Sequence, residues 1–272
     1  MNSIKFEELN YKFLLDNNKD EIKIIKEDLD FYFKLNIKPD TKYLIAFSNG
    51  AINPQKNISP IYMRSKWADD FNSSCIFIDD RTIHNLPINI GWGIGTPERH
   101  YLVDYSEIVM KISSLLKYND EKVIYYGSSA GGFISIALAS YHIGSIAIAN
   151  NPQTYINNYL PVHVEKMYKS IFPGMDKKEI LKNYGHRFSL LNMMTRNKNI
   201  PRTIYMQNRL CKSDMKMHYT PFFNNADKFN VNLEKINTIV YNNKLSGHNP
   251  VGREKTINFI NNLIETDFNT LL

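Results

Sequence analysis

The stretch Val123-Ile124-Tyr125-Tyr126-Gly127-Ser128-Ser129-Ala130-Gly131-Gly132-Phe133-Ile134 decides the reading of this chain. Its first four residues are β-branched or aromatic, as a buried strand prefers. Gly127-Ser128-Ser129-Ala130-Gly131 follows as a Gly-x-Ser-x-Gly turn, and an apolar helical run begins at Ala130. Between a strand and a helix such a turn is sharp and strained. It lifts the central serine hydroxyl out at the carboxyl end of the sheet. Glycine is expected at 127 and 131 because side chains there would meet the neighbouring strand and helix. Ser129 also stands at a helix N-terminus, where free N–H groups favour developing negative charge. Ser129 is therefore the candidate nucleophile. The competing reading is a Gly/Ser-rich connection, or one that cradles a phosphate. The strand before the turn and the helix after it favour the nucleophile.

Working outward, short apolar runs recur at residues 43–47, 75–78, 122–126, 145–149, 203–206 and 238–241. They look apolar on both faces, like strands of a covered parallel sheet. Helical patterns at 105–116, 130–141 and 253–264 alternate with them, and Ile257, Ile260 and Ile264 share one stripe of the last. Alternation of strand and helix implies an α/β fold with a doubly wound, mostly parallel sheet. Residues 151–201 interrupt the rhythm with helical patterns at 164–171, 177–184 and 188–194. They are expected to form a helical cap within a single domain spanning 1–272. Residues 5–15 and 30–35 are candidate edge strands.

A serine hydroxyl needs a base, and the base needs an orienting acid. With a strand–turn–helix nucleophile the chain order is serine, acid, histidine. His248, in Leu245-Ser246-Gly247-His248-Asn249-Pro250, follows the last expected strand and is the candidate base. Asp214 is the sole carboxylate in the loop after the preceding strand and is the candidate acid. For the oxyanion hole, the Ala130 N–H is one expected donor. The N–H of Asn49 or Gly50, after the first core strand, is the other. Candidate substrate contacts are Asp80 at a strand end, Trp92 in a flexible Gly-rich loop over a sugar ring, Gln153 at the start of the cap, and His218. The plainer readings are a helix cap for Asp80 and a surface histidine for His218. The asparagine-rich patches read as surface turns.

The chain has 272 residues, is 43% hydrophobic, and carries a formal net charge of +6. That supports a full core and excludes wholesale disorder. The lysines form no block, so the charge reads either as ordinary solvation or as attraction to an anionic substrate. No nucleic-acid motif is present. Cys75 and Cys211 form no paired or metal-ligand spacing, so no disulfide framework and no metal site is expected. Cys75 reads as core and Cys211 as a thiol in a polar loop. The N-terminus lacks an apolar signal region and no stretch reads as a membrane span, so a cytoplasmic location is the default expectation.

Taken together, Phe47-Ser48-Asn49-Gly50-Ala51-Ile52-Asn53, Gly91-Trp92-Gly93-Ile94-Gly95, the Gly127–Phe133 run, Asn151-Pro152-Gln153-Thr154 and Ser246-Gly247-His248-Asn249 carry a family likeness. They resemble α/β-hydrolase-like proteins found with bacterial capsule and surface-glycan biosynthesis enzymes, a group that includes a capsule O-acetyltransferase. The likeness spans roughly residues 43–260. It implies an α/β-hydrolase fold with Ser129, Asp214 and His248 as a triad. It also implies transfer or removal of an acetyl group on a sugar hydroxyl, with acetyl-CoA as a possible donor substrate and no bound cofactor. Transferase and esterase share the acyl-serine and differ only in the acceptor. A non-catalytic glycan-binding or assembly partner is the alternative from another class. A peptidase or lipase is less favoured, since no strongly apolar lid is evident.

Overall fold

A computed structural model describes residues 1–53 and 58–266. Its centre is a nine-stranded sheet in the order β1-β2-β3-β5-β4-β6-β7-β8-β9. The strands are β1 (Asn2–Lys5), β2 (Glu21–Lys26), β3 (Leu29–Asn36), β4 (Leu44–Ser48), β5 (Ser74–Ile78), β6 (Val123–Ser128), β7 (Ile146–Asn150), β8 (Arg202–Asn208) and β9 (Ile236–Tyr241). Strands β5-β4-β6-β7-β8-β9 pair in parallel, and among the described residues of the sheet the antiparallel pairs are β2–β3 and β3–β5. The expected doubly wound, mostly parallel α/β architecture is present.

The helices are α1 (Tyr11–Asp16), α2 (Tyr101–Leu115), α3 (Ala130–Tyr141), α4 (Pro161–Ile171), α5 (Lys177–Tyr184), α6 (Leu190–Asn197), α7 (Lys212–Asp214), α8 (Thr220–Asn225) and α9 (Arg253–Glu265). Two apolar layers follow from the period-two alternation of the strands. Val123 and Tyr125 of β6 join the layer formed with α2 and α3, which also takes in Met167, Ile180 and Leu190 from α4–α6. Ile124 and Tyr126 face the other way, onto Ile257, Ile260, Leu263 and Ile264 of α9. Each fully buried side chain of this kind contributes about 1.5–3 kcal/mol. The stripe on α9 therefore seats the final helix, and with it the loop that carries His248.

The amino-terminal segment departs from expectation. Residues 5–15, expected as a strand, end β1 and then form α1. Asn10 caps that helix, its side chain accepting the Phe13 N–H at 2.9 Å. This local hydrogen bond outweighs a weak strand pattern. The segment Glu21–Lys26 is a strand, its buried positions Ile22, Ile24 and Lys26 alternating as a one-sided strand should. Helix α2 begins a turn earlier than its apolar pattern suggested. Strand β9 is exposed at several positions instead of covered on both faces, because it is the sheet edge.

The sheet order reverses direction around β4: β5 lies on one side of it and β6 on the other. Ligand sites of open α/β sheets form in the crevice at the carboxyl ends of strands flanking such a point. Ser48-Asn49 at the end of β4 and Ser128-Ser129 at the end of β6 meet there.

Candidate active site

Ser129 adopts φ 57° and ψ −123°, a left-handed conformation that L residues rarely take. Its backbone is fixed from three directions. The Ser129 N–H donates to the Asn150 carbonyl at 3.2 Å. The Ser129 carbonyl accepts from Phe133 at 3.1 Å and from Gln153 at 3.2 Å. The two elbow glycines have direct steric reasons. A Cβ on Gly127 would lie 2.2 Å from the Gly131 carbonyl oxygen, and one on Gly131 would lie 2.7 Å from that of Ser48. Only hydrogen fits at either place.

The hydroxyl held out by this turn meets His248. The two are 119 residues apart in sequence, yet His248 Nε2 lies 2.8 Å from Ser129 Oγ. On the other side of the ring, His248 Nδ1 lies 2.7 Å from Asp214 Oδ2. Asp214 is buried at the end of α7, just beyond β8, while the His248 side chain is 38% exposed. A carboxylate only accepts, so Nδ1 carries the proton and Nε2 is free to accept from the serine.

The structure gives a physical origin for the placement of His248 that the residue pattern did not reveal. Asn150, Asn151 and Asn208, at the carboxyl ends of β7 and β8, are 0–1% exposed. They are not the surface turns that the asparagine-rich patches suggested. Asn151 donates to the His248 carbonyl at 3.0 Å and the Asn249 carbonyl at 3.2 Å, and accepts the Asn208 N–H at 2.7 Å. Asn208 donates to the Gly247 carbonyl at 2.8 Å and the Asn243 carbonyl at 2.7 Å. Asn150 accepts the Val251 N–H at 2.6 Å. A loop on both sides of the imidazole is thus tied to the sheet by buried amides. A signal for them was present, since asparagine is unusual at the end of an otherwise apolar parallel strand.

The expected oxyanion residues lie beside the elbow. Ala130 opens α3, where the first N–H groups have no partner within the helix. The Gly50 N–H faces the Met63 sulfur at 3.3 Å, a weak acceptor. The Asn49 side chain is occupied, donating to the Ile61 carbonyl at 2.5 Å and accepting the Met63 N–H at 2.9 Å. It holds the loop, and its amide oxygen and nitrogen are both engaged there.

The candidate substrate contacts fare differently. Trp92 is 0% exposed, so it cannot cover a sugar ring. Its Nε1–H donates to Gln153 Oε1. The Gly-rich loop around it is pinned, not flexible: Gly93 donates to Asp80 Oδ2 at 3.2 Å and Gly95 to Thr82 Oγ1 at 3.1 Å. Asp80 is buried and caps the next turn through the Thr82 N–H at 3.0 Å. Burial pushes its carboxyl up to about 6. It serves the loop instead of a substrate. Gln153 is wholly buried, and its Nε2 lies 3.2 Å from Ser129 Oγ, the hydroxyl that His248 also meets. His218 is buried, contrary to a surface role, within a π-helical turn (Met215–Tyr219). Its Nδ1 accepts the Thr154 N–H at 3.3 Å, and burial lowers its pKa to about 4, so it is neutral near pH 7.

Cys211 is likewise buried, and its Sγ lies with donor atoms of Asp214 and His248 within a 4.8 Å cluster. Two tetrahedral zinc ligands at about 2.1 Å from the ion stand roughly 3.4 Å apart. The 2.7 Å between His248 Nδ1 and Asp214 Oδ2 is instead a hydrogen bond. A cavity of about 270 Å³ is lined by Thr154, which follows Gln153 in the chain, and by Asn158, Asn192, Asn225, Phe222 and Phe229, among other uncharged side chains.

No family model and no curated protein matches the sequence. Solved structures do match in fold. The capsule O-acetyltransferase of Neisseria meningitidis serogroup A superimposes with a TM-score of 0.65 at 16% identity, covering 88% of this chain and 95% of that one. The fold is that of the α/β hydrolases. A form of the same meningococcal enzyme in complex with CoA matches with a TM-score of 0.63 at 17% identity, over 86% of this chain and 95% of that one. An S-formylglutathione hydrolase from Agrobacterium tumefaciens matches with a TM-score of 0.58 at 13% identity, over 90% and 92% of the two chains. Among the described residues, no helix of this α/β-hydrolase-fold chain is long and apolar enough to cross a membrane.

Proposed function

We propose that the protein is a serine-dependent acyl-transfer enzyme acting on a bacterial surface polysaccharide or its precursor. In this reading it is an O-acetyltransferase or a carbohydrate O-acyl esterase, working through an acyl-Ser129 intermediate. The observation that carries the reading is the hydrogen-bonded chain Ser129–His248–Asp214 at the carboxyl edge of the sheet. His248 Nε2 removes the hydroxyl proton as Oγ attacks the acyl carbonyl, and Asp214 holds the imidazole in the required tautomer. The Ala130 N–H, with that of Asn49 or Gly50, receives the oxyanion. One such donor is worth about 10²–10³ in rate. His248 then returns the proton to the leaving group. In the second half-reaction it deprotonates the incoming sugar hydroxyl or water.

A sugar as the bearer of the acyl group is supported by two observations. One is the likeness to the capsule O-acetyltransferase along nearly the full length of that enzyme. The other is the uncharged, asparagine- and phenylalanine-lined cavity whose wall includes Thr154, the residue after Gln153. Amide groups and aromatic faces together suit a hydroxyl-rich ring with an apolar side. The CoA complex of the neighbour makes acetyl-CoA the first acyl donor to test.

Purified protein and its Ser129→Ala variant should be compared on acetyl-CoA with a glycan acceptor, on an acetylated glycan, and on p-nitrophenyl acetate. Turnover and fluorophosphonate labelling should disappear in the variant while its circular dichroism persists. A fully active Ser129→Ala protein would overturn the reading. So would a folded wild type that binds glycan but neither turns over nor labels, which would point to a non-catalytic partner.

A further inference from the structure

The serine hydroxyl has a second neighbour besides His248. Gln153 Nε2 lies 3.2 Å from Ser129 Oγ. Amide oxygen and nitrogen are hard to tell apart by shape, but here the partner decides. Gln153 Oε1 is held by the Trp92 Nε1–H, and an indole nitrogen donates only. The amide oxygen must therefore face Trp92, and the NH₂ must face Ser129. Both side chains are 0% exposed, so the bond between Trp92 and Gln153 lies within the packed interior. The Gln153 backbone is anchored to the same serine, its N–H donating to the Ser129 carbonyl at 3.2 Å. Ser129 Oγ thus donates a hydrogen bond to His248 and accepts one from the Gln153 NH₂.

A fixed donor on this oxygen acts unequally on the two halves of an acyl-transfer cycle. When Oγ attacks the acyl donor it gives up electron density, and a hydrogen bond to it weakens. In the second half, the acceptor oxygen loses its proton to His248 Nε2 and bonds to the acyl carbon. The carbon–Oγ bond then breaks, its electron pair passes to Oγ, and His248 returns the proton to Oγ. Density builds on Oγ in that step, and a hydrogen bond to it strengthens. Interactions that strengthen toward the transition state accelerate the step.

We propose that Gln153 is a catalytic residue for release of the acyl group from Ser129, and that Trp92 is the positioning residue that keeps its NH₂ turned to Oγ. This rests on the reading of Ser129 as the acylated nucleophile. It adds a direction to it: the site is built to pass the acyl group on rather than to store it.

The test uses p-nitrophenyl acetate in stopped flow, with the burst reporting acylation and the steady state reporting deacylation. Intact-mass spectra follow the acetyl-enzyme. Gln153→Met keeps the shape and removes the donor. Its deacylation should slow about ten- to a hundred-fold, the range for one donor to a charged oxygen, while the burst is unchanged or faster. Acetyl-enzyme should accumulate. Trp92→Phe leaves Gln153 in place but frees its amide to turn, and should show the same asymmetry to a smaller degree. It carries the test if Gln153→Met does not fold. Equal slowing of both phases, or unaltered deacylation, overturns the proposal while leaving an acyl-Ser129 enzyme intact. A wild type that never acquires an acetyl group on Ser129 overturns both this inference and the function it rests on.

Discussion

The Asn151 side chain donates to the carbonyl oxygen of His248 at 3.0 Å, tying the end of β7 to a loop 97 residues later. Asn151 is 1% exposed and sits at φ 46°, so its amide is aimed by a backbone turn as well as by packing. The contact between Ser129 Oγ and His248 Nε2 is therefore held in part by an amide that touches neither atom.

Replacing that amide should separate stability from chemistry. Asn151→Ala leaves the Asn208 N–H and the His248 carbonyl without their partner, at a cost of about 1–3 kcal/mol in stability. The loop should loosen, and kcat should fall more than the melting temperature alone explains. The comparison is made well below the transition, with thermal unfolding and esterase rates on one preparation. A variant that loses stability but keeps full kcat would show that the loop needs no such tie.

Asp214→Asn should leave the fold unchanged and lower kcat by up to about 10⁴-fold, because an amide in place of the carboxylate allows the wrong imidazole tautomer. Asp214 is buried and bonded to His248 Nδ1, so solvent cannot take over its role. Steady-state kinetics at pH 7 and 8 decide the matter. A drop of less than tenfold would assign the acid elsewhere.

Gly127→Ala places a Cβ 2.2 Å from the Gly131 carbonyl oxygen, a backbone atom that cannot step aside. The expected destabilisation exceeds about 3 kcal/mol, at the top of the range for overpacking. Urea unfolding measures it. An alanine variant of near wild-type stability would mean that the elbow is looser than its geometry indicates.

His218 predicts an acid-side loss of stability. Its pKa is about 4 folded, against 6.5 unfolded, because burial disfavours the charged ring. The unfolded chain therefore takes up the proton first, and stability falls as pH drops from 6.5 toward 4. The full effect is about 3 kcal/mol at the linkage rate of 1.36 kcal/mol per unit. Asp80 works in the opposite sense. Its carboxyl is raised from 3.8 to about 6, so it costs stability as pH rises through that window. In His218→Asn, which keeps an acceptor for the Thr154 N–H, the acid-side loss should shrink. Melting temperatures at pH 4.5 and 6.5 give the answer. An unaltered difference between wild type and variant at the two values would exclude a buried neutral His218.

Much of the architecture was legible because parallel strands buried on both faces are short, apolar and easily recognised. Strands β4 to β8 and helices α3, α5 and α9 lie within a residue or two of the runs that suggested them. The amino-terminal segment was less legible, since there a single asparagine cap outweighs a poor alternation. The surroundings of Trp92, Asp80 and His218 were not legible in the residue pattern. Exposure is a property of the packed molecule, and all three are buried. A tryptophan among glycines looks like a loop over a ligand, yet it is a buried donor to Gln153.

The residue pattern was enough for the elbow, the alternation that builds the sheet, and the order in which serine, acid and histidine candidates occur. These are local features, written in residues that touch their chain neighbours. It took the packed fold to bring His248 within hydrogen-bond reach of both Ser129 and Asp214. Only it showed that Asn150, Asn151 and Asn208 hold the histidine loop, and that Gln153 turns its NH₂ to Ser129 Oγ. Each of these contacts joins strand ends brought together by sheet order, and sheet order is set by packing over the whole domain.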